Sequence, residues 1–280
     1  MTLRKRIEQI AAQRLGGLKG DGVFRAAPAG YTEEPESNLI AGVTRDDFWC
    51  DLDSGDGGEL KDSPRGPAKF CAAHSSSALG VNSFGPFRRH PNRIVLQGRS
   101  SFTEARFERK CPTGLSGNAP NLDFFVRGDG IVVGVESKFL EPLSSATADF
   151  ADSYRQLVVD ESDQAWRRAY DELTSSPKVF HHLHAAQLVK HSLGLRHSFP
   201  DAGKVILLYA YWEPVNAGEH SEFVAHAEEI AEFASWVRGG DVQFEYVAYP
   251  ELWRQWESQL TWPGSHDHIS ALRERYEFEA

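Results

Sequence analysis

Apolar positions change period several times along the chain, and each change marks an element. Leu3, Ile7, Ile10, Ala11 and Leu15 recur at helical spacing and predict an opening helix over residues 3–15 that stops at Gly16-Gly17. Periodicity is then lost over residues 20–66. Gly, Pro, Asp and Ser recur there, most densely at 51–58, which predicts an irregular or flexible segment with no chemistry assigned to it. A helix returns over residues 74–87, with Ser75 or Ser76 as N-cap and Gly85-Pro86 as its end.

Three β-rich runs follow at residues 102–111, 122–127 and 131–140, the last two joined across Gly128-Asp129-Gly130. Beyond them the pattern predicts a polar helical stretch over 141–177 and a His-rich helix over 180–195 closed by Gly194. A buried strand over 204–212, a helix over 221–237 and a strand over 242–249 complete the order. Such an order predicts an α/β fold, an α+β mixed sheet covered by helices. Residues 1–73 read as an N-terminal helix with an irregular extension, 74–250 as the main domain, and 251–280 as a C-terminal helical tail packed on it.

A hydrophobic content of 41% and a charged content of 25% exclude disorder of the whole chain. The basic start, Met1 to Arg6, is followed by Glu8, Gln9, Gln13 and Arg14 and not by an apolar run, so no signal peptide is expected. No window reaches the roughly 18 apolar residues of a membrane span. Cys50, Cys71 and Cys111 lack metal or disulfide spacing, which points to a reducing cytoplasm. A formal net charge of -10 sits awkwardly with phosphate binding. Its distribution still permits a local nucleic-acid path, because Arg88, Arg89, Arg93, Arg99, Arg106, Arg109 and Lys110 face only Glu104 and Glu108 in their stretch.

The candidate chemistry follows from turn arithmetic. A two-residue turn at Asp129-Gly130 pairs Gly128 with Ile131, and that register sets Asp123 opposite Glu136. Lys138, two residues further, projects on the same side as both carboxylates. Opposed carboxylates about 5 Å apart at Cβ repel unless a proton or cation lies between them. Mg²⁺ or Mn²⁺ suits that need, with the backbone carbonyl of Ser137 as a further oxygen. Lys138 would then orient the attacking water or stabilise charge in the transition state.

Glu-x-Lys occurs at Glu59-Leu60-Lys61, Glu108-Arg109-Lys110 and Glu136-Ser137-Lys138, and only the third has an Asp-Gly turn and a facing Asp. Pro120-Asn121-Leu122-Asp123 with Glu136-Ser137-Lys138 resembles the PD-(D/E)XK nuclease superfamily, although Pro120 does not directly precede the Asp. The resemblance covers roughly residues 74–212. It implies a restriction-endonuclease-like core of helix, three-stranded meander, helix and strand, and metal-dependent phosphodiester hydrolysis. Asp123 and Glu136 take the metal-ligand roles and Lys138 the catalytic one. The first-helix carboxylate of many members is missing from residues 74–87, leaving Glu108 or Glu104 as substitutes, with Ser75, Ser76 and Asn82 as polar contacts. Gln187 matches a polar position on the second core helix.

These readings lead to a nuclease acting on nucleic acid, with DNA as the expected substrate, no membrane partner, and a homodimer compatible with them. Two alternatives stay open: a nucleic-acid-binding module that keeps the fold without catalysis, and a structural protein whose hairpin charges merely pair. His181, His182, His184 and His191 read as satisfied or exposed side chains, and Trp253, Trp256 and Trp262 as core or interface.

Overall fold

The computed structural model describes residues 1–54, 58–64, 66–115, 119–160 and 163–280. In chain order the helices and strands are α1 (Leu3–Lys19), α2 (Trp49–Asp53), α3 (Ser76–Arg89), β1 (Phe102–Lys110), β2 (Asn121–Gly128), β3 (Ile131–Lys138), α4 (Ser153–Asp160) and α5 (Gln164–Ser175). They continue with α6 (Ala185–Ser198), β4 (Lys204–Tyr211), α7 (Ser221–Trp236), β5 (Val242–Ala248), α8 (Tyr249–Gln259) and α9 (Ser265–Tyr276). The sheet runs β1-β2-β3-β4-β5, antiparallel through β3 and parallel from β3 to β5. This is the mixed sheet expected from the sequence, with helices on both faces.

Alternation on the strands assigns the two faces. Val133, Val135, Ile206 and Leu208 join α1, α3, α8 and α9 in one apolar cluster. Val132, Val205, Leu207 and Tyr209 join α5, α6 and α7 in the other. Burial on both faces explains why β3 and β4 read as nearly continuous apolar runs. Leu39, Ile40, Val43, Phe48 and Leu60 of the irregular segment also belong to the first cluster, so that segment is packed where flexibility was an option. Residues 55–57 of its turn-rich stretch lie outside the described residues.

Several helix ends differ from expectation, each for a local reason. α1 runs through Gly16-Gly17 and ends at Gly20, whose N–H bonds the Gly16 carbonyl. α3 passes through Gly85-Pro86, with the fully buried Phe84 and Phe87 anchoring its last turns. The expected helix over 141–177 is instead a short turn at Glu141–Leu143, a non-helical stretch, and then α4 and α5. Residues 161–162 of that range lie outside the described residues. The His-rich helix starts only at Ala185, because both Glu229 carboxylate oxygens accept the backbone N–H groups of His181, His182 and Leu183 and hold that segment open. It also continues past Gly194, where the absent side chain admits the Cys111 carbonyl. Cys50, Cys71 and Cys111 are all free thiols.

Candidate active site

The turn arithmetic holds along the β2–β3 ladder from Gly128↔Ile131 to Phe124↔Val135. It ends one step short of Asp123 and Glu136, and the reason is local. Leu122 and Phe125 belong to the α6-side cluster while Phe124 belongs to the opposite one, so β2 breaks its two-residue alternation at Asp123. Across the strand pair, Glu108 has a left-handed φ of 48° between Phe107↔Phe124 and Arg109↔Leu122. The Asp123 carboxylate therefore does not meet Glu136 by regular alternation. It turns toward the end of β3 and accepts the Ser137 N–H at 2.7 Å.

Asp123, Glu136, Ser137, Lys138 and Gln187 nevertheless line one cavity of about 420 Å³. Ser75 and Ser76, at the start of α3, form part of its wall. Ser75 caps that helix by accepting from Ala78, and Ser137 Oγ lies 2.7 Å from the Tyr249 hydroxyl. Asn82, expected as a polar contact, is fully buried elsewhere and holds Ile40, Asn38 and Tyr276. Glu108 lines the cavity and accepts from Asn121 at 3.3 Å. Glu104 does not line it and pairs with Arg106 at 3.2 Å.

Several ionisable groups in the cavity wall lie outside the set the sequence predicts. Glu59 comes from the irregular segment and binds Lys69 and Ser77, each at 3.0 Å. Glu141, Arg4, Lys69 and His74 line it as well. All but Glu141 lie far from the motif in sequence, and nothing in their spacing links them to it.

β3 and α6 meet through a matched repeat. Lys138 Nζ donates to Gln187 Oε1 at 3.0 Å, and His191 Nε2 lies 2.8 Å from Glu136 Oε2. Four residues of helix rise about 6 Å and two residues of strand about 6.6 Å, so one helical turn of α6 spans the two same-face positions of β3. Lys138 also contacts Glu136 Oε1 directly. Gln187 lies at the position the sequence predicts, whereas His191 is predicted only as a satisfied or exposed histidine. Its spacing of four from Gln187 was the available signal.

Charges in this buried cluster are strongly perturbed. Burial would raise the Glu136 carboxyl, but Lys138 and His191 outweigh it and hold the group at about 2. Asp123 moves the other way, pushed well above the usual carboxylate range by burial and by Glu136. Burial, with Glu59 and Glu136 nearby, lifts Glu108 to about 7. Burial opposes the Lys138 charge, yet Glu136, Glu141 and Asp123 prevail and hold the ammonium above its ordinary value.

Among the described residues, no three His, Cys, Asp or Glu side chains form a ready metal cluster, which disfavours a zinc-type cage and includes the His-rich segment. The oxygen set suits magnesium better, since that ion is usually held by one or two carboxylates and keeps several waters. One feature fits a cation here: carboxylates outnumber cationic side chains in the cavity wall.

The basic run expected to guide nucleic acid is largely neutralised. Arg88 binds Asp51, Arg89 binds Asp47 at 2.8 Å, and Arg99 grips Glu245 through two bonds of 2.6 and 2.8 Å. Arg109 lies over Phe125 at 5.4 Å. Trp253 and Trp256 are fully buried core, and Trp262 is partly buried under Arg93.

The antiparallel meander, the parallel β3–β4 crossover through α6 and the Asp, Glu and Lys at the strand ends define a restriction-endonuclease-like protein of the PD-(D/E)XK kind. The chain belongs to the family described as restriction endonuclease associating with ARP, whose family model matches residues 4–277. Membership points to a nuclease-like role with nucleic acid as substrate. No curated protein and no solved structure matches the chain. No helix among the described residues is long and apolar enough to cross a membrane.

Proposed function

We propose that the protein is a Mg²⁺- or Mn²⁺-dependent nuclease that hydrolyses phosphodiester bonds, in DNA in the first instance, within a reducing cytoplasm. The observation that carries this reading is the meeting of Asp123, Glu136 and Lys138 in one cavity at the ends of β2 and β3. Asp123 and Glu136 would hold the ion, with the Ser137 carbonyl and Glu108 as further oxygens. Bound there, the ion would polarise the phosphate and make water a better nucleophile at neutral pH.

The chain's own groups have distinct tasks. Ionising Asp123 beside Glu136 is costly without a cation, so ion binding and loss of the Asp123 proton are coupled. Lys138 is held as an ammonium, which suits it to orient water and to face charge developing on phosphate oxygens, and unsuits it as a proton acceptor. Gln187 fixes the Lys138 headgroup and His191 the Glu136 carboxylate. Supporting contacts of this kind set the geometry on which such a site depends.

The test is to incubate purified protein with plasmid, linear DNA and RNA in Mg²⁺, Mn²⁺ or EDTA. Metal-dependent cleavage that EDTA stops supports the reading. Cleavage insensitive to EDTA, or none with any substrate or ion, contradicts it.

A further inference from the structure

A smaller cavity of about 150 Å³ opens beside the proposed catalytic one and shares Gln187 with it. Leu173, Phe180 and Leu183 give it apolar walls, while Thr147, Asp149, His184, Gln187 and Lys190 supply polar groups. His184 Nε2 is buried and has no hydrogen-bond partner among the described residues. Lys190 Nζ sits over the rings of Phe150 and Tyr154, at 5.4 and 5.8 Å.

Size and placement narrow what fits. A cavity of about 150 Å³ is of the size that holds one six-membered aromatic ring. Gln187 and Lys190 are three residues apart and so share a face of α6, about 4.5 Å along its axis. A strand whose phosphate lay at Lys138 would therefore bring its neighbouring nucleoside to the mouth of this cavity. A base within a duplex stack is not available to such a cavity; an unstacked base is.

We propose that this cavity receives a single unstacked nucleobase next to the scissile phosphate, which rests on the reading of Asp123, Glu136 and Lys138 as the active site. The apolar walls stack on the ring, and His184 and Gln187 contact its polar edge. The substrate class is then nucleic acid with an unpaired nucleotide at the cut, from a single strand or from a duplex position where the base has turned out.

An abasic scan tests this. Single-stranded oligonucleotides, each lacking one base, are titrated against the full chain by fluorescence anisotropy, and their cut positions are mapped in Mn²⁺. The expected result is about tenfold weaker binding at one position adjoining the cut and little change elsewhere, in keeping with the usual effect of losing one stacked base. Ala148→Leu, at a partly exposed position of the cavity wall, should weaken intact substrate to the same extent and cancel the abasic effect. A matched duplex against one with a single mispair separates the two sources: preference for the mispair over the matched duplex favours the turned-out base, and binding only to single strands favours the other. Metal-dependent cutting with a flat abasic scan and an unaffected Ala148→Leu would overturn this proposal and leave the nuclease reading intact. Loss of metal-dependent cleavage and of nucleic-acid binding altogether would overturn both.

Discussion

His191 Nε2 lies 2.8 Å from Glu136 Oε2, and both side chains are 1% exposed. Lys138 contacts the other oxygen, Oε1, so the set of this buried carboxylate depends on both partners. His191→Ala should therefore weaken Mn²⁺ binding by about 10- to 100-fold, the usual range for losing a partner that orients a ligand. His191→Gln, which keeps a donor, should recover part of it. Calorimetric titration checks this, and equal affinity in all three proteins would show that Glu136 needs no such partner.

The neutralised arginines give an expectation opposite to that of a phosphate track. Arg88→Ala and Arg99→Ala should each cost about 1–2 kcal/mol of stability, because the side chains of Asp51 and Glu245 lose a largely desolvated partner. Neither should change the salt dependence of DNA binding, whose slope counts phosphate contacts. A shallower slope in either variant would restore the nucleic-acid role for that arginine.

Gly194 sits in the middle of α6, where alanine ordinarily stabilises a helix by about 1 kcal/mol. Here a Cβ would collide with the Cys111 carbonyl and come within 3.2 Å of Pro120 Cγ. Gly194→Ala should instead lose about 1–3 kcal/mol, as overpacked sites do. Chemical denaturation measures the sign, and a gain would mean that α6 and the β1–β2 connection separate freely.

Burial holds His226 at about 3 and His268 at about 4. Both values lie below the unfolded imidazole near 6.5, so the unfolded chain takes up protons that the folded one refuses. Their contribution is present above pH 6.5 and is lost as pH falls toward 4. Each histidine should account for about 2 kcal/mol of lost stability between pH 7 and 5. Denaturant melts across that range should flatten in His226→Gln and in His268→Gln; an unchanged slope would mean that other groups dominate.

How much of this was legible in the sequence depends on the range of the interaction involved. The five strands were readable because each is a short β-rich run, and the Asp129-Gly130 turn set the β2–β3 register almost to the motif. Alternation failed at Asp123, since the face switch depends on the backbone of Glu108, a residue of the neighbouring strand. Helix limits failed where glycine and proline answered tertiary demands: Gly194 admits a carbonyl, and Pro86 is held inside α3 by its buried neighbours. Glu59 and Arg4 reach the cavity through long-range packing, for which neither local pattern nor spacing carries a signal. His191 was within reach, one turn beyond Gln187, had the two been read as one face of a helix.

The division of labour between Asp123 and Lys138 is the central claim, and Mn²⁺ calorimetry beside a plasmid cleavage assay tests it most directly. Lys138→Ala should abolish cleavage while binding the cation as tightly as the parent or more so, because an ammonium no longer competes for Glu136. Lys138→Met, which keeps a packed stem, guards against loss of fold and should behave alike. Asp123→Ala should lose both binding and cleavage, and Glu136→Gln should weaken the ion while keeping the shape of the site. Equal loss of Mn²⁺ affinity in the Lys138 variants and in Asp123→Ala would contradict the assigned roles, and full cleavage in any of them would remove the active site from this cavity.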